Sequence, residues 1–157
     1  MKKIVLAFAA LTISATMMAQ TAAVPASQTA ATVVAAPKAS DYIKFKEIVH
    51  DFGKIKQNEP VTFEFIFANI SDKPLVIESA TASCGCTTPV KPEAPIAKGK
   101  SDKITAGFNA AQLGIFNKII YVKLAGIDIP MELKITGNVL TTAEYAKYEL
   151  DKSKKSK

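Results

Sequence analysis

Apolar and polar side chains alternate along several short stretches in the middle of the chain. The period of two is clear in residues 61–67, 104–108, 116–124 and 128–139. Such alternation predicts half-buried strands of an antiparallel sheet. The apolar positions are Val61, Phe63, Phe65 and Phe67; Ile104, Ala106 and Phe108; Phe116, Ile120, Val122 and Leu124; and Ile129, Met131, Leu133, Ile135 and Val139.

Turn signals separate these stretches at Phe52-Gly53 and at residues 69–74, 98–100 and 125–128. Several short strands without a core helix predict two sheets that cover each other. The predicted fold class is therefore all-β, an immunoglobulin-like antiparallel β-sandwich of about seven strands. The chain has no Trp and only two Cys, which are one residue apart. It therefore lacks the Cys–Trp–Cys arrangement of a true immunoglobulin domain.

The ends of the chain differ in composition from its middle. Residues 1–19 combine a positive start with an apolar stretch and a small residue, Ala19, which is typical of a secretory signal peptide cleaved after Ala19. Residues 20–40 read as a disordered Ala/Thr/Pro linker, and residues 41–140 as the β-sandwich domain. Residues 141–157 form a polar, basic tail that could hold a short helix around residues 143–150. We expect an exported protein, periplasmic or secreted, without a membrane span.

The net charge of +6 does not indicate a nucleic-acid partner. Within residues 41–140, 12 Lys face 11 Asp and Glu, a balance of +1. Every basic residue is Lys, so the chain has no Arg forks to read bases or clamp phosphates. The rest of the positive charge lies towards the two ends of the chain, including Lys2 and Lys3 of the predicted signal peptide and the lysines of the tail.

Both cysteines lie in the stretch Ser83-Cys84-Gly85-Cys86-Thr87. Residues two apart on an extended strand have Cα atoms about 6.6 Å apart, whereas a disulfide prefers about 5.5–6 Å. Closing Cys84 on Cys86 therefore needs a bend, which Gly85 permits because it lacks a Cβ. Three interpretations stay open: a local disulfide or buried thiols that shape the loop, a thiol-exchange site, and a metal site.

A metal site would take Cu(I) or Zn(II), which thiolates suit. The candidate ligands are Cys84, Cys86 and His50, the single histidine of the chain. No cofactor is required by any other feature. His50 and Asp51 are neighbours and point to opposite faces of a strand, so they do not form a catalytic pair. Asp51-Phe52-Gly53 is better explained as a structural corner. The chain also lacks a Gly-rich phosphate loop and a nucleophile elbow, so we predict that it is not an enzyme.

Several of these motifs together resemble one bacterial family, the domain of unknown function 1573. The resemblance covers residues 50–139 and implies an exported sandwich similar to the ASPM/SPD-2/hydin and major-sperm-protein type. It implies no activity, because the family has none established. Residues 109–113 are less polar than the family pattern. The motifs are His50-Asp51-Phe52-Gly53, Phe65-Ile66-Phe67-Ala68-Asn69, Lys73-Pro74-Leu75-Val76-Ile77, Ser83-Cys84-Gly85-Cys86-Thr87, Pro95-Ile96-Ala97-Lys98-Gly99 and Gly114-Ile115-Phe116-Asn117-Lys118.

The sequence therefore predicts an exported, non-enzymatic binding or structural module with a Cys-Gly-Cys loop. Its expected partner is another envelope or secreted protein, engaged through a sheet edge or the cysteine loop. The alternative is a metal-binding or thiol-redox accessory protein that uses Cys84 and Cys86.

Overall fold

A computed structural model describes residues 36–155. Strands make up most of this part of the chain. The predicted signal peptide and residues 20–35 of the predicted linker lie outside the described residues. The elements are a 3₁₀ turn at Ala39–Asp41, β1 (Ile43–Phe45), β2 (Val49–Lys56), β3 (Val61–Asn69), β4 (Ile77–Ala82), β5 (Thr87–Val90), β6 (Ser101–Phe108), β7 (Gly114–Leu124), β8 (Met131–Leu140) and α1 (Thr142–Lys155).

The strands form two four-stranded sheets, in the orders β1-β3-β6-β5 and β2-β8-β7-β4. This confirms the predicted immunoglobulin-like all-β sandwich, with eight strands where about seven were expected. The shortest strands, β1 and β5, have three and four residues, too few to show an alternating pattern. The buried faces of the two sheets share one hydrophobic core.

One strand pair departs from the antiparallel expectation, because β2 runs parallel to β8. Strands β1 and β2 follow each other along the chain but belong to different sheets. The chain therefore crosses from the first sheet to the second over residues 46–48. Strands that change sheets are one way in which sandwiches turn a corner.

The alternating pattern is confirmed for most of the predicted apolar positions. Ile129 is different: it is 40% exposed, because β8 begins only at Met131. Pro130 precedes that strand, and a proline cannot donate a hydrogen bond to a neighbouring strand. The predicted apolar residues that are buried are Phe65, Phe67, Ile104, Ala106, Phe108, Phe116, Ile120, Val122, Leu124, Leu133, Ile135 and Val139.

The predicted turn after β3 depends on a buried polar residue, Asn69, which is 1% exposed. Its side-chain nitrogen donates to the carbonyl oxygens of Lys73 and Ile96, at 2.8 Å each. Its Oδ1 accepts from the backbone nitrogen and the hydroxyl of Ser71, at 2.9 and 2.7 Å. A buried amide is tolerated when its polar atoms are bonded in this way. Asn69 therefore holds the turn to the loop before β6.

The last described element is helix α1, which extends further than the predicted range 143–150. Thr141 and Glu144 form a capping box at its start: Glu144 N donates to Thr141 Oγ1 at 3.2 Å, and Thr141 N donates to Glu144 Oε2 at 3.0 Å. The Nζ of Lys54 on β2 lies 4.5 Å from the ring centroid of Tyr148, a cation–π contact that holds the helix to the second sheet.

No helix in the described part of the chain has the length and apolar character needed to cross a membrane.

Candidate functional site

Three loops meet at one end of the sandwich, which we call the loop end. The Asn109 backbone nitrogen donates to the Cys86 carbonyl at 3.1 Å, and the Asn58 nitrogen donates to the Ala110 carbonyl at 3.0 Å. Ala110 is fully buried and has a left-handed φ of 52°, so its loop is fixed in a conformation that a non-glycine residue seldom adopts. The loops are the β2–β3 turn (57–60), the cysteine loop (83–86) and the β6–β7 loop (109–113).

A disulfide joins Cys84 and Cys86 within the cysteine loop. Their Cα atoms lie 5.4 Å apart, closer than in an extended strand, so the chain bends here as the geometry requires. Both residues are half-buried. The hydroxyl of Thr87, a buried residue, lies 3.8 Å from Cys84 Sγ and 4.0 Å from Cys86 Sγ.

The glycine between the cysteines has free space around it. Gly85 does not have a left-handed φ, and, its neighbours Cys84 and Cys86 aside, a Cβ built on it would meet no heavy atom within 4 Å. The surrounding structure therefore leaves room for an alanine at this position. Nothing inside the described part of the chain explains why this position is a glycine.

A shallow cleft of about 210 Å³ lies beside the disulfide. Cys86 lines it, whereas Cys84 does not. No charged side chain contributes to its lining, so the cleft favours neither an acidic nor a basic occupant. The lining residues are Pro60, Val61, Thr62, Gly85, Cys86, Thr88, Gly107, Phe108 and Asn109.

His50 lies away from the cysteines and packs in an aromatic cluster. Its ring stacks on Phe63 of the opposite sheet, with centroids 3.5 Å apart, and meets the edge of Phe52 at 4.7 Å. Strand β2, which carries His50, and strand β4, which leads to Cys84, are opposite edges of one sheet. The structure thus brings Cys84 and Cys86 together but does not bring His50 to them, and residues 36–155 contain no group of three metal-ligating side chains.

The remaining residues of the His50 motif form a corner in β2. The Asp51 carboxylate accepts a hydrogen bond from the Gly53 nitrogen at 2.9 Å. Gly53 has a φ of +67°, a conformation that favours glycine, and the pairing of β2 with β8 shifts between Asp51 and Lys54. Asp51 and Gly53 therefore build a bulge. Their positions agree with the structural corner expected from the sequence, and Phe52 between them is half-buried.

Each outer strand of the two sheets has a feature that disfavours pairing with another chain. Strand β1 has only three residues, and β5 contains Pro89, which cannot donate to a neighbour. Strand β2 carries the bulge, and β4 has a register shift between Ile77 and Ser79. Bulges, prolines and short outer strands are common protections of sheet edges. The loop end is therefore a better candidate for partner contact than a sheet edge.

Exposed apolar side chains lie next to the loop end. Leu113, the last residue of the β6–β7 loop, is 51% exposed, and Ile115 at the start of β7 is 88% exposed. Single exposed apolar residues are ordinary on a protein surface. Here two exposed apolar residues lie next to three loops that are held in place. This part of the surface therefore fits contact with another protein best.

Sequence reasoning missed two parts of this site. The β6–β7 loop contacts the cysteine loop, although 22 residues separate Asn109 from Cys86 along the chain. Thr87 is buried with its hydroxyl towards both sulfurs. The sequence gives a signal for Thr87 alone, because this residue directly follows Cys86. The contact between the two loops depends on how the sheets pack.

Two facing sheets, with the consecutive strands β1 and β2 in different sheets, define an immunoglobulin-like β-sandwich. Residues 43–139 match the family described as "Protein of unknown function (DUF1573)", and the chain belongs to this family. This confirms the resemblance seen in the sequence motifs. No curated protein matches the sequence.

Three solved structures are similar in fold. A protein of unknown function from Porphyromonas gingivalis W83 has a TM-score of 0.52 and 15% identity over 62% of this chain and 46% of its own. The human CEP192 ASH/PapD-like domain has a TM-score of 0.52 and 8% identity over 64% and 87%. The secreted serine protease VesC from Vibrio cholerae has a TM-score of 0.50 and 9% identity over 63% and 23%. The chain thus spans less than half of the Porphyromonas protein and less than a quarter of VesC.

Proposed function

We propose that this protein is an exported, non-enzymatic binding module that contacts another envelope or secreted protein through its loop end. The observation that carries the proposal is the exposure of Ile115, at 88%, beside Leu113, at 51%. Burying a fully exposed isoleucine against a partner contributes roughly 1.5–3 kcal/mol. The three loops are held by hydrogen bonds to one another, so they lose little freedom on binding, and such preorganisation favours affinity.

The non-enzymatic assignment is supported by the structural roles of the polar residues in the family motif. The His50 ring is stacked on Phe63, and the Asp51 carboxylate is bonded to the backbone of Gly53. Both side chains thus have packing partners that account for their presence. The cysteines are joined to each other and shape the loop between β4 and β5.

Export is supported by the composition of residues 1–19 and by the disulfide, because such bonds persist in oxidising compartments. Fractionation of cells that make the protein, followed by amino-terminal sequencing, tests this part. We expect a chain that begins at Gln20 in the periplasmic or secreted fraction. An intact Met1 in the cytoplasm would contradict export.

Site-specific photo-crosslinking tests the binding surface. A photoreactive amino acid at position 115 should give a discrete crosslinked product with another protein in cells that naturally make this one. The matched control is position 70, since Ile70 is also exposed, at 52%, and follows the other end of β3. An Ile115→Asp substitution should weaken recovery of the partner, whereas Ile70→Asp should not. Equal crosslinking from both positions, or none from position 115, would refute the proposed surface.

A further inference from the structure

We propose that the Cys84–Cys86 disulfide oxidises a dithiol on another exported protein, and that the incoming thiolate attacks Cys86 from the adjacent cleft. The inference goes beyond the proposed binding function, because it assigns to the cysteine loop one stoichiometric exchange per chain, without catalytic turnover. It is tested with different residues from those of the binding surface, so either proposal can fail without the other.

The position of the cleft selects the sulfur that is attacked. Thiol–disulfide exchange depends on access to the sulfur under attack, and the nucleophile approaches from the side opposite the leaving sulfur. Cys86 lines the cleft and Cys84 does not. A thiolate that enters the cleft therefore meets Cys86 Sγ, and Cys84 becomes the leaving group.

Gly85 is the observation that points to an incoming chain. The structure itself has room for a Cβ at this position and does not require a glycine conformation. A glycine without an internal reason is common where another backbone approaches closely. Gly85 borders the cleft, so its missing side chain leaves space for an extended segment. Since no charged residue lines the cleft, an uncharged cysteine-bearing segment is the fitting occupant.

Thr87 is placed to receive the leaving sulfur. Its hydroxyl lies 3.8 Å from Cys84 Sγ and 4.0 Å from Cys86 Sγ, and its residue is buried. Thr87 can therefore bond to the sulfur that leaves, but it does not select which sulfur leaves. A hydroxyl donor at this position can bond to the negative charge that forms on Cys84 when the disulfide opens. Hydrogen bonds to a charged group are stronger than those between neutral groups, so Thr87 favours departure of Cys84.

The exchange proceeds in two balanced steps. In the first, the partner thiolate forms a bond to Cys86 Sγ while the bond between Cys84 and Cys86 breaks, and Cys84 leaves as a thiolate that takes a proton from water. In the second, the other thiolate of the partner attacks the partner sulfur in the mixed disulfide. Cys86 then leaves and is protonated. The partner loses two electrons and becomes a disulfide, and this protein gains them as two thiols.

The sequence separation of the cysteines is consistent with a bond that can be opened without unfolding the domain. A disulfide stabilises mainly by closing a loop of the unfolded chain, and this effect is small when the loop is short. A single residue separates Cys84 from Cys86. The two sheets do not depend on this bond for their connection, so the reduced protein can keep its fold.

The test uses the oxidised chain from residue 20 to 157 and an uncharged model peptide with one cysteine. After brief reaction, free thiols are blocked with N-ethylmaleimide, and tandem mass spectrometry locates the peptide. We expect the peptide on Cys86 and the blocking group on Cys84, with a preference of about tenfold. A synthetic heptapeptide with the same disulfide is the control, and it should show no such preference because it has no cleft.

Variants separate attack through the cleft from general exposure. Gly85→Val should slow formation of the mixed disulfide by about tenfold because it narrows the approach to Cys86, and Gly85→Ala should have a smaller effect. Thermal unfolding checks that both variants keep their fold. Thr87→Val should slow the reaction without moving the site of attack. Dithiothreitol should release two thiols from each oxidised chain.

The proposal is overturned by a peptide found equally on both cysteines or mainly on Cys84. It is also overturned if folded Gly85→Val reacts at the wild-type rate, or if the folded protein resists dithiothreitol. A protein isolated from the periplasm with both thiols free and resistant to oxidation would overturn it as well.

Discussion

Replacing Gly137 by alanine should destabilise the sandwich, because this glycine makes room for a neighbouring ring. Gly137 on β8 is paired with Phe116 on β7. A Cβ at position 137 would lie 2.7 Å from each of two Phe116 ring carbons and 3.0 Å from the Gly53 carbonyl oxygen. Carbon atoms pack best at about 3.5–4.0 Å, so the ring or the backbone would have to move by roughly 1 Å.

Neither neighbour can move easily. The Phe116 ring is 7% exposed and stacks on Phe108, with centroids 4.1 Å apart. Gly53 belongs to the bulge that Asp51 holds by a hydrogen bond of 2.9 Å. Overpacking of this kind costs about 1–3 kcal/mol, and the reduced freedom of the unfolded chain returns about 0.4–1 kcal/mol. The net loss for Gly137→Ala should be about 1–2 kcal/mol.

Thermal and denaturant unfolding of the mature protein measure this loss. A destabilisation of that size should lower the midpoint temperature by roughly 5–15 °C. Gly85→Ala is the matched control, since a Cβ there meets nothing within 4 Å, and it should change stability by less than about 0.5 kcal/mol. A Phe116→Leu substitution should largely remove the penalty of Gly137→Ala. A Gly137→Ala variant as stable as the wild type would refute this explanation. A loss of stability from Gly137→Ala that is just as large in the Phe116→Leu background would also refute it.

Three further predictions concern His50, the cysteine pair and the start of α1. His50→Ala should cost about 1–2 kcal/mol in a chemical denaturation curve, because it removes the stack on Phe63, and it should leave any zinc or copper affinity unchanged in a calorimetric titration; a lost metal site would contradict the placement of His50. Replacing both Cys84 and Cys86 by serine should cost at most about 2 kcal/mol, since the closed loop is short, and complete unfolding of this variant at room temperature would show that the bond staples the fold. The pKa of Glu144 is held below its ordinary value by the hydrogen bond from the Thr141 side chain and then by that from the Thr141 backbone. The Glu144 carboxylate therefore stabilises the start of α1 above the ordinary pKa, and this contribution is lost as the pH falls through the lower folded pKa; circular dichroism should show acid fraying of α1 that a Glu144→Gln variant does not share.

The family motif around His50 gains a structural explanation from the aromatic contacts. His50 stacks on Phe63, and Phe63 meets the edge of Phe65 at 5.0 Å. On its other side, His50 meets Phe52, whose ring lies 6.5 Å from that of Phe116. Aromatic rings in such arrangements contribute beyond the area they bury. The rings connect β2 and β7 of one sheet with β3 of the other, so the motif serves to fasten the two sheets together.

Only part of the candidate site could be predicted from the sequence. The proximity of Cys84 and Cys86 was evident because a single residue separates them, and the structure joins them in a disulfide. The contact between Asn109 and Cys86 could not be predicted, because it depends on which loops the packed sheets bring to the same end. His50 illustrates the opposite case. It was a reasonable candidate ligand by residue type, yet the strand order places it at the far edge of the sheet from the cysteine loop.

Local side-chain periodicity determined the fold class, because alternating apolar residues such as Phe65 and Phe67 must turn one face of a strand away from water. The sequence also determined the capping residues of α1 and, apart from the bond of Asn69 to Ile96, the turn after β3, since these are made by neighbours along the chain. The tertiary structure alone decided the parallel pairing of β2 with β8, the loop end and the cleft that Cys86 lines and Cys84 does not. These features depend on how the two sheets pack against each other in space. The pattern of apolar and polar residues along the chain contains no information about that packing.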